Sequence, residues 1–357
     1  MNTLLLAPEI FSSEGGIPRI LQLYLRAICD LAQPGDEIRL VALNDSEFKE
    51  TDIQRVTGNR LTAACACGRD KARFIEATLC FGRKSDRIIC GHIAQLPIAL
   101  AARAINWRLR YDLIAHGVEV WRPLTIPIRL ALRGVRQVWC VSDYTRRELL
   151  SRCRLPATRT LVLPNALDPV FAITASGPRE SGAPPVILLV SRLTRDDQDK
   201  GFEDLIRAMP AVLGEIPNTR LHIIGRGNMV HELQALAAEI GVESAVRFLG
   251  YLDDNRMTAE MRACTIFALP SKKEGFGLVF IEAMACGKPC LGARAGGIPE
   301  VITAETGVLA EHGDVTGIAA ACVQALRKPW DEQAILDRAR SFAYPQFKER
   351  LRIALSA

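Results

Sequence analysis

Short apolar runs recur along the chain, and longer stretches between them repeat apolar and polar positions with helical spacing. The runs are short enough for buried strands and are bounded by glycine, proline or polar residues. The pattern therefore predicts alternating strands and helices, which is typical of α/β proteins. Predicted strands are 3–7, 38–43, 86–90, 111–115 and 135–141 in the first half, and 186–190, 221–224, 246–249, 264–270 and 288–292 in the second.

Helices are predicted at 19–31, 96–106, 278–286, 315–326, 331–339 and 344–355. The stretch 44–62 is polar and is expected to be loop or edge structure. Residues 174–185 are rich in proline, glycine and serine, so they are the best candidate for a linker. A chain of 357 residues is too long for one ordinary core, which predicts two domains.

The stretch from Cys264 to Gly292 holds the most informative arrangement. A buried strand closed by Pro270 leads into a polar loop with Gly275 and Gly277, then into a helix and a further short strand. Such a loop leaves the amides at the helix start unpaired. These amides and the helix dipole favour a phosphate group at that point.

Two carboxylates accompany this helix: Glu274 precedes it and Glu282 lies within it, so they flank its start at different depths. A phosphate would repel a carboxylate, so acceptors for sugar hydroxyls are the better interpretation. The alternative is that Glu274 is a solvated loop charge and Glu282 a favourable charge in the first turns.

Residues 274–289 read Glu-Gly-Phe-Gly-Leu-Val-Phe-Ile-Glu-Ala-Met-Ala-Cys-Gly-Lys-Pro, which resembles the paired-glutamate motif of retaining glycosyltransferases of family 4. The resemblance covers nearly the whole chain, more strongly its second half. It implies the α/β GT-B fold, with two Rossmann-like, doubly wound domains facing a central cleft. The implied domains are 1–170 for the acceptor, 171–340 for a nucleotide-sugar donor, and 341–357 as a terminal helix that packs back on the first domain.

The resemblance also implies functional residues. His116 follows a predicted strand where the family places a cleft histidine that supports the transferred sugar, and His92 ranks second. Arg192 and Lys200 resemble the cationic pair on the donor diphosphate, although three extra residues separate them here. The catalytic set is His116, Glu274, Arg192 and Lys200; the donor-binding set is Gly15, Gly16, Arg192, Lys200, Gly225, Tyr251, Glu274, Gly275, Phe276, Gly277, Leu278 and Glu282; the acceptor set is His92, Glu119 and Arg122.

Neither a metal nor a cofactor is expected, because fixed cations can stabilise the charge of a leaving nucleoside diphosphate. The Asp197-Gln198-Asp199 sequence has the Asp-x-Asp form of a metal motif from another glycosyltransferase fold, and we interpret it as part of a solvated loop. The eleven cysteines are scattered and are interpreted as reduced thiols, mostly in cores. Cys65 and Cys67 with His92 are a weaker metal alternative.

The net charge of +5 is unevenly distributed, because residues 101–160 contain twelve arginines and no lysine against four acids, 12 − 4 = +8. Arginines interleaved with Trp107, Trp121 and Trp139 fit a basic surface that faces anionic lipid heads or a lipid-linked phosphate acceptor. Solvated helix faces are the alternative. Nucleic acid is not expected as a partner, because no binding motif accompanies the charge.

The first apolar run follows no basic region, which predicts a strand and not a signal peptide. No run of about 18 apolar residues that could span a membrane is present. We therefore expect a cytoplasmic protein, with peripheral attachment to the inner face of the membrane as a further expectation.

The residues and the resemblance together predict a retaining transferase that moves a hexose from a UDP- or GDP-linked donor to a hydroxyl of a saccharide or lipid-linked saccharide, in polysaccharide or glycolipid biosynthesis. One alternative is a nucleotide-sugar 2-epimerase of the same fold, which would turn over UDP-sugar without an acceptor. Another is a non-catalytic nucleotide-sugar-binding subunit. A dehydrogenase is the weakest, because the dinucleotide fingerprint lacks its third glycine.

Overall fold

A computed structural model describes residues 1–13, 15–175, 177 and 182–356 and divides the chain into two compact units. The first unit comprises Met1–Asp168 and Tyr344–Ala357, and the second comprises Pro169–Ala343. The expected boundaries at 170 and 340 fall a few residues from these divisions. Within the predicted linker 174–185, residues 176 and 178–181 lie outside the described residues.

The first unit is built on a seven-stranded parallel sheet with the order β3-β2-β1-β4-β5-β6-β7. Its strands are β1 (Thr3–Ala7), β2 (Ile38–Ala42), β3 (Leu61–Ala66), β4 (Arg87–Cys90), β5 (Arg110–Ala115), β6 (Val138–Cys140) and β7 (Thr160–Val162). Its helices are α1 (Gly16–Leu31), α2 (Glu50–Thr57), α3 (Lys71–Gly82), α4 (Leu96–Ile105), α5 (Val118–Trp121), α6 (Ile126–Gly134), α7 (Asp143–Arg152) and, from the C-terminus, α15 (Tyr344–Ser356).

The second unit has a six-stranded parallel sheet with the order β10-β9-β8-β11-β12-β13. Its strands are β8 (Val186–Val190), β9 (Arg220–Ile224), β10 (Val246–Gly250), β11 (Ile266–Leu269), β12 (Cys290–Ala293) and β13 (Gly307–Ala310). Its helices are α8 (Phe202–Glu215), α9 (Val230–Glu239), α10 (Asp254–Ala263), α11 (Leu278–Ala285), α12 (Ile298–Val301), α13 (Val315–Arg327) and α14 (Glu332–Arg340). Two helix-covered parallel sheets confirm the predicted α/β fold class.

The central strands are apolar throughout because both faces of each sheet are covered. On β1, Leu4 and Leu6 pack into one hydrophobic cluster, whereas Leu5 and Ala7 pack into another on the opposite face. The alternation follows from the two-residue period of a strand. Because both faces are buried, these strands appear in the sequence as continuous apolar runs and could be predicted.

The prediction of loop or edge structure for 44–62 is wrong for α2. Only Val56 and Thr57 of that helix are buried, so its sequence shows no long apolar stripe. The strand β3 begins at Leu61 and lies at the sheet edge, where its burial alternates. Weak burial explains why the polar sequence concealed both elements.

The tryptophans expected at a basic interface are in different environments. Trp139 is fully buried and stacks on Tyr24 with ring centroids 6.0 Å apart. Trp121 is half-buried and packs edge-on against Tyr144. The interface interpretation is therefore wrong for these two residues, and only Trp107 presents an exposed ring.

A buried ion-pair network anchors α15 in the first unit. Asp112 on β5 is fully buried, with its carboxylate 3.3 Å from Arg87 Nε and 3.0 Å from Arg136 Nε. The same guanidinium groups donate to the helix-terminal carbonyls of Leu355 (2.8 Å) and Ala354 (3.2 Å). Burial lowers the pKa of Arg87 to about 10, so it stays charged at neutral pH. The arginines thus satisfy carbonyls that have no partner within the helix.

Replacing Asp112 by Asn should leave two buried guanidinium groups without a counter-charge and lower the free energy of unfolding by about 3–5 kcal/mol. Urea denaturation followed by circular dichroism measures this loss. The matched control is Glu349→Gln, which removes an exposed pair with Arg352 on the same helix and should hardly move the midpoint. Equal effects of the two substitutions would contradict the anchoring role of Asp112.

Candidate active site

Lys200 and Glu274 form an ion pair in the second unit, in which Lys200 Nζ donates to Glu274 Oε1. Lys200 ends the 3-10 turn Arg195–Lys200, and Glu274 lies in the loop between β11 and α11. The two side chains are 24% and 16% exposed, so water reaches the pair only in part. An ammonium group has three N–H donors, which leaves two for a further anion.

Arg192 is held on both sides by the loop that follows β9. The N–H of Ser191 donates to Ile224 O at 3.0 Å, and the N–H of Leu193 donates to Arg226 O at 3.0 Å. Although its side chain is 74% exposed, the backbone of Arg192 is therefore fixed. An exposed cation on an immobilised loop is suited to binding an anion with little loss of entropy.

Asp197 orients the guanidinium of Arg192. Its Oδ1 accepts from Arg192 Nη2 at 3.0 Å, and its Oδ2 accepts from Thr194 Oγ1 at 2.6 Å. The prediction of a solvated Asp-x-Asp loop is wrong for Asp197, which is buried. Asp199 pairs with Lys273, and this hydrogen bond lowers the pKa of the Asp199 carboxyl.

Gly225 and Gly227 are explained by the close approach of the Arg192 loop. A Cβ on Gly225 would lie 1.8 Å from Ser191 O, and one on Gly227 would lie 2.0 Å from Leu193 O. A side chain at either position would push the Arg192 loop away from β9. The donor-binding role predicted for Gly225 stays a prediction, and its direct structural effect is on the position of Arg192.

The loop carrying Glu274 is fixed by a second pair of glycines. The N–H of Gly297 donates to Glu274 O at 2.8 Å, and a Cβ on Gly296 would lie 2.3 Å from the same oxygen. Gly296 has φ +58°, which glycine adopts without strain. The contact joins two loops that are distant in sequence, so local pattern could not predict it.

The start of α11 is compact. Gly275, Phe276 and Gly277 are buried, and the ring of Phe276 packs edge-on against Phe342 with centroids 5.3 Å apart. Among the described residues no side chain caps the amides from Leu278 onward. This arrangement is compatible with the predicted phosphate site, which stays a prediction.

Glu282 and Tyr251 differ in accessibility. Glu282 is 5% exposed within α11, deeper than Glu274, as their spacing predicted. Tyr251 follows β10 and is 50% exposed, with the guanidinium of Arg226 4.7 Å from its ring centroid. Because Gly225 N–H donates to Gly250 O, Tyr251 lies beside the loop that holds Arg192.

In the first unit, His116 follows β5 and its Nε2 lies 2.9 Å from Gly91 O. A carbonyl oxygen only accepts, so Nε2 carries the proton and Nδ1 of the neutral ring is an acceptor. Burial lowers the pKa of His116, opposed by the Glu119 carboxylate. The ring is thus neutral at physiological pH.

The side chains of Glu119 and His92 accept hydrogen bonds from backbone N–H groups close to them in sequence. Glu119 Oε1 accepts from the N–H groups of His116 (2.5 Å) and Gly117 (3.2 Å). His92 Nδ1 accepts from Ala94 N–H at 3.2 Å, and burial lowers its pKa. Arg122 is exposed directly after α5. The acceptor roles of these side chains stay predictions.

Asp45 is a positioning residue that sequence reasoning missed. It is fully buried, and its carboxylate accepts from the N–H groups of Ile10 (2.9 Å), Phe11 (2.8 Å) and Ser12 (2.8 Å). These residues precede Gly15 and Gly16, which are exposed at the start of α1. The only sequence signal was a lone acid just after a strand.

The remaining metal candidates have other contacts. The Cys65 and Cys67 sulfurs lie 3.9 Å apart, and burial raises the pKa of the Cys67 thiol to about 12. Within the described ranges, no cluster of three or more His, Cys, Asp or Glu side chains could hold a metal ion.

Family models match both halves of the chain. Residues 24–171 match Glycosyltransferase Family 4, and residues 175–342 match Glycosyl transferases group 1. Together with the two Rossmann-like units, these matches define a GT-B glycosyltransferase. The chain belongs to glycosyltransferase family 4, which confirms the predicted enzyme class.

Two curated relatives illustrate the similarity. The chain is 32% identical over 270 residues to the GDP-mannose-dependent monoacylated alpha-(1-6)-phosphatidylinositol monomannoside mannosyltransferase of Corynebacterium glutamicum. This alignment covers 69% of this chain and 68% of the relative. The chain is also 39% identical over 151 residues to the N-acetyl-alpha-D-glucosaminyl L-malate synthase of Bacillus anthracis, covering 42% of this chain and 39% of that protein.

Among solved structures, HepE of Anabaena in complex with UDP aligns with a TM-score of 0.77 and 20% identity over 100% of both chains. This similarity concerns the fold.

Replacing Gly296 by Ala should displace Glu274 and lower sugar transfer more than tenfold, since a misplacement of about 1 Å can cost roughly 100-fold. The matched control is Gly313→Ala, where φ is +79° and a Cβ would meet nothing within 4 Å. Both substitutions should lose about 1–2 kcal/mol of stability from left-handed backbone strain. Transfer rates and thermal unfolding measure the two effects. If both variants keep equal activity, the Gly296 contact does not position Glu274.

Proposed function

We propose that the second unit binds a nucleotide-diphosphate sugar and that the enzyme transfers its hexose, with retention of configuration, to a saccharide or lipid-linked saccharide. The Lys200–Glu274 pair carries this proposal. A sugar diphosphate joins an anion directly to a ring of hydroxyl groups. The pair offers a cation and a hydroxyl acceptor in contact, which matches that junction.

Arg192 and Lys200 stabilise the leaving group. When the bond between the anomeric carbon and the phosphate oxygen breaks, its electron pair stays on the diphosphate, and fixed cations lower the energy of that charge. Arg192 is suited to this because its planar fork can bind two phosphate oxygens. Asp197 accepts a hydrogen bond from one nitrogen of this guanidinium, Nη2, and so orients it.

The ionic contact of Glu274 with Lys200 favours a role in binding hydroxyls over nucleophilic attack. We infer a displacement on one face of the sugar. The acceptor oxygen bonds to the anomeric carbon on the side from which the diphosphate departs, and the acceptor proton passes to the departing phosphate oxygen. Glu274 supports the oxocarbenium-like sugar. In the first unit, Nδ1 of His116 can accept a hydrogen bond from a hydroxyl group.

The remaining donor contacts follow the same logic. The exposed face of Tyr251 offers a surface for a base, and Glu282 is assigned to the ribose hydroxyls. The named donor of the Corynebacterium relative is GDP-mannose, and the HepE complex contains UDP, so both bases are candidates. The phosphatidylinositol monomannoside in that relative's name supports a lipid-linked acceptor.

Arg192→Ala should lower the turnover number by about 100- to 1,000-fold, the usual effect of removing one stabilising donor. Arg195→Ala is the matched control, because Arg195 is an exposed arginine of the adjoining turn whose partner is Glu232. A screen of UDP- and GDP-sugars for thermal stabilisation first identifies the donor. Full activity of the Arg192 variant would refute the role, and lack of stabilisation by any nucleotide sugar would sink the donor proposal.

His116 should give an acid limb in the pH profile of kcat/KM. Because the neutral ring accepts the hydrogen bond from the hydroxyl group, activity should be present above the lowered pKa of His116. It should decline as the pH falls through this pKa, which lies below 6.5. His116→Asn keeps an acceptor oxygen but does not titrate there, so its profile should lack this limb. An unchanged acid limb in the variant would assign the titration to a group other than His116 and refute this role.

A further inference from the structure

The outer face of α4 and α6 exposes large apolar side chains. Trp107 is 77% exposed, Ile126 81%, Leu130 53% and Ile105 48%. Pro97, Leu100 and Ala104 line an apolar depression that ends at Trp107. Large apolar side chains grouped on one surface mark an interaction site more often than isolated ones do.

Within residues 96–134, arginines accompany these apolar residues and no acid is exposed. The six exposed arginines of residues 96–134 make no ion pair within the described part of the chain; they are Arg103, Arg108, Arg110, Arg122, Arg129 and Arg133. The two acids of this stretch are used elsewhere: Asp112 is buried between arginines, and Glu119 binds backbone amides. The exposed charge contributed by residues 96–134 is therefore positive only.

The two helices form a stable platform. Arg103 on α4 donates to Gly134 O at the end of α6 at 2.9 Å. On α6, Ile126 and Leu130 are four positions apart and share one face, while Ala131 and Leu132 are buried. The helix is thus amphipathic, with its exposed apolar residues beside Arg129 and Arg133.

We propose that this surface, the α4–α6 patch (Trp107, Ile126, Leu130, Arg108, Arg129 and Arg133), docks on a bilayer that contains anionic lipids. The inference deepens the proposed function, on which it rests for the reason to approach a membrane. Apolar side chains with tryptophan enter the interfacial region, while arginines bind lipid phosphates. A second copy of the chain is disfavoured as occupant because the arginines of one patch would face those of the other.

The test measures co-sedimentation of the full chain with vesicles in the absence of sugar donor. The wild type should bind phosphatidylcholine vesicles containing about 30% phosphatidylglycerol, bind pure phosphatidylcholine weakly, and lose binding in high salt. Arg129→Gln with Arg133→Gln should lower the partition coefficient about 30-fold, from the usual contribution of each basic residue near an anionic surface. Trp107→Ser with Ile126→Ser should also lower it.

Ile353→Ser is the matched control, because Ile353 is 54% exposed on α15, away from the two helices. It should bind like the wild type, and circular dichroism should show all variants folded. The proposal would be overturned if the wild type bound equally well to vesicles with and without phosphatidylglycerol, or if the patch variants bound as well as the control. So would a wild-type dimer in light scattering that the patch variants convert to monomer.

Donor binding, followed by thermal stabilisation with nucleotide sugars, should be unchanged in the patch variants. Vesicle binding that persists while every nucleotide sugar fails to stabilise would reject the proposed donor and leave the docking surface supported. Loss of donor binding in folded patch variants would reject the docking role in favour of a substrate site.

Discussion

The contact between Lys200 and Glu274 is the interaction on which the candidate site depends. It connects two loops at the carboxyl ends of neighbouring strands, β8 and β11, that are distant in sequence. Without Glu274, Lys200 would be a largely shielded cation without its carboxylate partner, which is costly in a protein interior. Without Lys200, a nearby phosphate would repel Glu274. Each charge thus makes the other tolerable, and the pair holds a cation and a carboxylate side by side, as the proposed donor requires.

Close backbone approach makes this arrangement rigid. Gly225 and Gly227 let the Arg192 loop lie directly on the end of β9, and Gly296 lets its neighbour bind the carbonyl of Glu274. These glycines are needed because a Cβ would occupy the space of a backbone oxygen. The cation and the carboxylate are therefore placed by main-chain hydrogen bonds, which move less than side chains and favour electrostatic preorganisation.

Sequence alone predicted what depends on local pattern. The strand β8 was predicted with its observed ends because burial on both faces leaves a continuous apolar run, and Glu274 was identified because the spacing to Glu282 is carried by one segment. Asp45 was missed because its partners, the amides of Ile10 to Ser12, lie in another loop that only the folded chain brings near. Asp197 was misjudged although its partners Arg192 and Thr194 are close in sequence, because sequence does not show that the turn buries its carboxylate. Composition describes an acid's charge, but burial and hydrogen bonding depend on tertiary structure.

The arginine-rich stretch also shows that composition alone does not describe which charges are paired in the folded chain. Counting residues 101–160 gave a uniform excess of positive charge, but the folded chain divides its arginines into two groups. Arg136 pairs with Asp112, Arg146 and Arg147 pair with Asp143, and Arg152 pairs with Glu148. These pairs use three of the four acids, and backbone amides bind Glu119. Of the other 12 − 4 = 8 arginines, six lie on or beside α4 and α6. These two helices and their flanks thus carry an excess of positive charge, which favours attraction to an anionic surface.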